Sequence, residues 1–360
     1  MATVISREQR LYVPLLKGKQ GEFRAILNLS SARNHIIPLI EHEPCSITDA
    51  SALKKYLEEK YIPRFIKTNF MGRAFVDLYH IRNATHAGTL HPLELVLDKL
   101  RTTTIQPTPV VGPHYPVSFV TAVKKAAREH GVCIRLRVGK IDLFDLLNKV
   151  NELLATLEVS PHQIDLLLDF GPITSEQEGA LAFTAVNLIR DLNTKGKWRT
   201  FTLASGAFPL NLEQVKGGTH ARIKRSDWTM WQTVAKHISS TDMKTQLFFG
   251  DYAVNHPDFP PSSKFMTIVP ALRYTLLEDP HWLALKESKS DLGNRGFFDL
   301  CRRLVRMPEY AGRGHCWADD EIYERSLGRG GPGNAGTWRE YGTVHHITTV
   351  VEQLANFRVP

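Results

Sequence analysis

Across residues 11–249 of the chain, short apolar runs alternate with longer runs of helical period. That rhythm is the mark of repeated β/α units. It predicts strands at residues 11–16, 36–40, 74–79, 108–111, 132–138, 164–168, 200–204 and 246–249. Helices are predicted between them at 22–29, 49–60, 92–101, 117–129, 142–157, 175–192 and 227–238. Eight such units suit a closed eight-stranded parallel β/α (TIM-like) barrel. An open doubly wound sheet is the alternative, but no Gly-rich turn follows the first strand.

The rhythm changes after Asp251. Residues 265–274 and 281–286 flank the turn Glu278-Asp279-Pro280 and predict a β-hairpin. A helix is expected at 297–305, a Gly-rich loop at 328–336, and a last amphipathic helix at 345–357 that opens on His345-His346. Residues 1–255 are thus expected to form the barrel core, and 256–360 an extension packed on it within the same domain.

Side chains alternate across a strand, so residues two apart share a face. The rows Val13/Leu15/Lys17, Ile37/Leu39/Glu41, Phe75/Asp77/Tyr79, Cys133/Arg135/Arg137, Leu167/Asp169 and Phe249/Asp251 each carry a charge toward the strand's C-terminal end. Barrel sites are built at those ends. A charged mouth over an apolar barrel follows, with Lys17, Glu41, Asp169 and Asp251 close together. The structural alternative is ion pairing within the barrel, Lys17 with Glu41 and Arg135 and Arg137 with Asp169, since buried charges are normally paired.

Composition narrows the chemistry. The hydrophobic share of 42% and charged share of 23% are ordinary for a globular chain. A net charge of +8 favours acidic partners such as nucleotides or nucleic acid. Cys45, Cys133, Cys301 and Cys316 are scattered and make no Cys-x-x-Cys pair, so neither a disulfide framework nor a zinc ribbon is indicated. No apolar stretch is long enough to span a membrane, and no signal-peptide core opens the chain, so a cytoplasmic location is expected. The zinc-protease and serine-hydrolase motifs are missing.

Glu41, Asp77, Asp169 and Asp251 are candidate bases or ligands for Mg²⁺ or Mn²⁺. Arg135 and Arg137 suit phosphate or carboxylate. His80 and His114 follow the third and fourth strands as candidate acid/base groups. A desolvated Lys17 would also suit Schiff-base chemistry. In the C-terminal cassette, Gly331 and Gly333 allow backbone to approach an anion, Trp338 offers a face for a base, and Arg339 offers a fork for phosphate. No Gly-Lys-Ser/Thr follows, so the loop is not a P-loop. If it folds over the mouth, Arg339 or His346 faces the cavity of Glu41 or Asp169. The competing arrangement is a clasp in which Trp338 and the histidines pin the last helix to the barrel's outside.

A set of local motifs runs nearly end to end: Tyr12-x-Pro14-x-x-Lys17 with Gly21-Glu22; Pro38-Leu39-Ile40-Glu41; Asp169; and Ser205-Gly206-Ala207-Phe208-Pro209. It continues with Gly250-Asp251-Tyr252, Arg273-Tyr274-Thr275, Trp317 with Asp319 and Asp320, Gly331-Pro332-Gly333-Asn334, Trp338-Arg339 and His345-His346-Ile347. In these the chain resembles the phage beta-protein family. The resemblance implies a protein of phages and bacteria working in phage–host conflict, or antiviral defence, and carries no biochemical activity.

The expectation is therefore a barrel that binds, and as an enzyme would hydrolyse, a nucleotide or nucleic-acid phosphodiester. Lys17, Glu41, Asp77, Asp169, Asp251 and His346 are its candidate catalytic residues. Arg135, Arg137, Tyr252, Arg273, Tyr274, Gly331, Gly333, Asn334, Trp338, Arg339 and His345 are its candidate substrate contacts. A non-catalytic barrel that binds a nucleotide, nucleic acid or a partner protein in defence is the alternative.

Overall fold

Eight parallel strands close on themselves in the computed structural model, which describes residues 12–140, 142–243, 245–260, 269–288 and 293–358. In chain order the barrel strands are β1 (Tyr12–Leu16), β2 (Leu39–Glu41), β3 (Gly72–Asp77), β4 (Ile105–Val111), β5 (Val132–Arg137), β6 (Ile164–Pro172) and β7 (Thr200–Gly206). After β8 (His220–Lys224), which lies outside the barrel, β9 (Leu247–Asp251) closes the ring by pairing with both β7 and β1.

Helices α1 (Gln20–Leu27), α2 (Ala50–Tyr56), α3 (Ile62–Ile66), α4 (Pro92–Arg101), α5 (Val117–His130), α6 (Leu146–Leu157), α7 (Glu178–Asn193) and α8 (Ser226–Ser239) occupy the crossovers. The helix expected to stop at residue 60 continues to 66 through a π turn, in which the Ile62 N–H reaches back to the Leu57 carbonyl. Pro63 is the cause, since it has no N–H to offer the Glu59 carbonyl.

Alternation sorts the strand residues into two cores. Val13, Leu15, Ile37, Leu39, Phe75, Val110, Cys133, Leu167, Ala204 and Tyr252 fill the barrel interior. Their neighbours, among them Tyr12, Leu16, Ile40, Val76, Leu168 and Phe249, pack outward against the helices. Phe249 corrects the expected parity of the eighth strand. It stacks on Tyr12 at 5.6 Å and meets Trp228 and Trp231 of α8. Gly250 takes the inward position because a Cβ there would lie 2.9 Å from the Ala204 methyl and 3.0 Å from Thr202.

The N-terminal end of the barrel is plugged by charge. Asp165 accepts from Arg73 at 3.0 Å, from Arg199 Nε at 3.1 Å and from the Thr200 hydroxyl at 2.7 Å. With that end sealed, the C-terminal mouth is left for a ligand.

The extension holds β10 (Ala271–Thr275), β11 (His281–Lys286), α9 (Gly296–Leu304), α10 (Trp317–Ser326) and α11 (Ala335–Asn356). β10 and β11 form the expected hairpin; its predicted start at residues 265–268, like Leu11 of the first strand, lies outside the described residues. β8 adds a third antiparallel strand to it, so the sheet draws on both sides of residue 255.

The last helix begins ten residues before its expected start. Asn334 caps it, its side-chain oxygen accepting from Gly336 N at 2.9 Å and Thr337 N at 3.2 Å, and the helix buries Trp338, Tyr341, Val344 and Ile347. No helix among the described residues is long and apolar enough to cross a membrane.

Candidate functional site

Five of the six charged rows deliver their end groups to the mouth, and Arg135 organises them. Its Nε and Nη2 donate to Asp169 at 2.9 and 2.7 Å. Nη1 donates to Asp77 at 2.6 Å and Glu41 at 3.3 Å, and Nη2 also reaches the Tyr252 hydroxyl at 2.8 Å. Tyr252 in turn donates to Asp169 at 2.7 Å. The guanidinium side chain is 1% exposed. Its donors are spent on the protein, so the expectation that it grips a substrate phosphate gives way to the ion-pairing alternative. Lys17 departs from that alternative: its Nζ donates to the Asp258 carbonyl and not to Glu41.

Above this layer, Arg137 Nη2 bonds Asp77 at 3.0 Å and Glu41 at 3.2 Å, and Nη1 bonds the Tyr115 hydroxyl at 3.3 Å. Its guanidinium rests 3.9 Å over the Tyr79 ring. His80 Nε2 lies 3.2 Å from Glu41 Oε1. Burial would raise the Glu41 carboxyl, but Arg135, His80 and Arg137 together outweigh it and hold the group well below the usual carboxylate range. The three carboxylates converge on a guanidinium, which already supplies the positive charge a divalent ion would bring.

The network floors a cavity of about 580 Å³, with Arg135, Asp169 and Tyr252 in its lining. Its walls join Glu41, His80, Arg137 and Lys140 to Tyr79, Phe170 and Phe259. That volume is within the usual range for small-molecule sites. Lys17 sits beneath its edge, 4.3 Å over the Phe259 ring, and burial lowers its ammonium to about 8 despite Glu41 and Glu22.

The remaining candidates lie elsewhere. Asp251 follows Phe249 to the outer face, where it accepts from the Tyr12 hydroxyl and from His346 Nε2 at 2.8 Å. Thr275 donates to His346 Nδ1 at 2.7 Å, and Trp282 Nε1 lies 3.4 Å from the same atom. The paired histidines therefore sit mid-helix, and His346 alone of the two pins α11 to the barrel's outside. His345 stacks on Tyr274 at 3.7 Å, also away from the mouth.

Trp338 offers no free platform: it stacks on Phe297 at 4.3 Å and donates to the Pro332 carbonyl at 2.9 Å. Gly331 is open to solvent, while Gly333 (φ +71°) leads into the Asn334 cap and packs beside Thr337 and Trp338, so the loop serves the helix start. Arg273 bonds the Val254 carbonyl at 2.6 Å and covers Phe208. Arg339 stands close enough to Lys19 and Arg273 to depress both, after burial, and it does not line the mouth cavity.

His114 is exposed, and its neighbour Tyr115 enters the site in its place. Tyr115, Lys140, Phe170 and Phe259 were not singled out from the sequence. They lie on loops or at strand ends where no periodicity points to a cavity, although Tyr115 follows the fourth strand as His80 follows the third.

His42, next to Glu41, is fully buried against Tyr61, and its Nδ1 donates to the Glu43 carbonyl at 2.6 Å. Burial lowers it to about 4. A folded-state value below the unfolded one means that the unfolded chain takes the proton first, so this stability is present above about pH 6.5 and lost toward pH 4. His42→Phe should gain on the parent by up to about 3 kcal/mol as pH falls from 6.5 to 4. Urea unfolding of both proteins checks this, and a pH-independent difference would refute it.

Comparison with curated proteins returns no match. The family model described as Beta protein matches residues 12–352, from the first barrel strand into the last helix, and the chain belongs to that family.

Proposed function

We propose that the barrel mouth binds a phosphate-bearing ligand of nucleotide size, in the setting of phage–host conflict that the likeness to phage beta proteins suggests. The observation that carries the reading is the cavity itself, where Arg137, Lys140 and His80 share walls with Phe170 and Phe259. Cations suit the phosphate and the rings suit a base. A cytoplasmic setting accords with such a ligand.

Titration calorimetry with nucleoside mono-, di- and triphosphates, dinucleotides and short single strands tests it. Lys140 is exposed, so Lys140→Ala should keep the fold. Arg137→Ala and Lys140→Ala should each weaken the best ligand about tenfold, or roughly 1.4 kcal/mol. Equal affinity in both variants, or no binding by any phosphate compound, refutes the reading.

Hydrolysis is a second reading, favoured by one observation: Glu41 orients His80 at the cavity wall, as an acid/base histidine requires. His80→Gln would then retain ligand and lose phosphate release.

A further inference from the structure

The C-terminal extension holds a group of ligating side chains that the mouth does not use. Ligand atoms of His315, Asp319 and His345 lie within 4.8 Å of one another. They come from the segment leading into α10, the first turn of α10 and the middle of α11.

Hydrogen-bond direction makes the group unusual. His345 Nε2 lies 2.8 Å from the Thr275 carbonyl, which can only accept, so that nitrogen carries the hydrogen. With that nitrogen occupied, Nδ1 is the atom that faces Asp319 Oδ2, 2.9 Å away. Asp319 is held as an acceptor on both oxygens: Tyr274 donates to Oδ1 at 2.7 Å and the Cys316 thiol to Oδ2 at 3.0 Å. The Tyr274 hydroxyl already accepts from Ala311 N at 2.9 Å, which turns its hydrogen to Asp319. Both His345 and Asp319 side chains are 0% exposed. Two lone pairs cannot face each other in a dry site, so a cation, a proton or a metal ion, lies between them.

We infer that His315, Asp319 and His345 bind a divalent transition metal of the zinc class. The set of two imidazoles and a carboxylate suits that class and not Mg²⁺, which takes oxygen ligands. A neighbouring thiol, Cys316, and the carboxylate of Glu352, 3.7 Å from His315 Nδ1, stand by as a fourth ligand. Ligand atoms on tetrahedral zinc sit about 3.3 Å apart, so the His345–Asp319 pair opens slightly as His315 moves in. The His315 side chain, 9% exposed, is the member of the three that solvent reaches. The metal replaces the proton shared by His345 and Asp319, and ties α10, α11 and the end of β10 together beside the His346–Asp251 contact.

The test uses the full, untagged chain. After exposure to Zn²⁺ and gel filtration, elemental analysis should find one zinc per chain. Cobalt in its place should give the strong visible absorption of four-coordinate Co²⁺. Zinc should raise the melting temperature of the parent. His315→Ala should remain folded, as circular dichroism checks, bind zinc about a hundredfold more weakly, and lose the thermal shift. Asp319→Asn should lose the cobalt spectrum. No retained zinc, a weak six-coordinate cobalt spectrum, or undiminished binding by His315→Ala overturns the site and leaves a shared proton between His345 and Asp319.

Discussion

Replacing Arg135 with methionine should cost the barrel about 4 kcal/mol or more at neutral pH, the largest loss expected from any single change at the mouth. The substitution removes the cation between Glu41, Asp77 and Asp169; it leaves buried Glu41 and Asp77 with Arg137 as their remaining guanidinium partner, and buried Asp169 with the Tyr252 hydroxyl. A buried charge stripped of its partner loses the attraction that offset its desolvation.

The pH dependence should invert as well. In the parent, Glu41 titrates well below its usual range, so its contribution is present above about pH 4.5 and is lost only as pH falls through that depressed value. In Arg135→Met the crowded carboxylates titrate above their unfolded values. The folded state then binds protons first, and stability is regained as pH falls. Urea unfolding at pH 8 and pH 5 reads both effects. A loss under about 1 kcal/mol, or a variant that weakens on acidification, would show that Arg135 is not the centre of the network.

The second large effect belongs to Asp251→Ala, for which we expect a loss of about 3 kcal/mol together with loosening of α11. Burial works against the Asp251 charge, yet His346, Arg225 and Tyr12 hold the carboxyl below its usual range. Without it, His346 Nε2 has no acceptor, and fully buried Arg225 keeps Gln353, at 2.7 Å, as its side-chain hydrogen-bond partner. Hydrogen exchange should quicken along 335–356 while β3–β6 stay protected. Unchanged exchange in α11 would mean that apolar contacts such as Val344 and Ile347 are enough to dock it. A ligand that binds the mouth should bind this variant with little change, because Asp251 faces away from the cavity.

The barrel was legible because its signal is local. A period of two belongs to the backbone, so Val13, Leu15 and Lys17, or Leu167 and Asp169, declare their common face without reference to the rest of the chain. The same rule failed at the eighth strand, where Phe248 and Phe249 are both apolar and neither parity stands out. What decided it was space inside the barrel, where Ala204 and Thr202 leave room only for Gly250.

Asp169 was readable as a partner of Arg135, the two rows being of matching parity, but the other partners were not. Asp77 and Tyr252 lie 58 and 117 residues away, and only strand register brings them together. Trp338 looked like a platform because a sequence shows an aromatic ring but not the Phe297 ring that covers it. β8 alternates half-buried Ala221 and Ile223 with exposed polar residues, too weak a pattern to stand as a strand until β11 supplies its hydrogen bonds. Alternation and helical period arise from each residue's own neighbours and are written along the chain. Which charge neutralises which, which ring is covered and which face an ambiguous strand turns inward depend on groups brought close by folding, and the tertiary structure alone decides them.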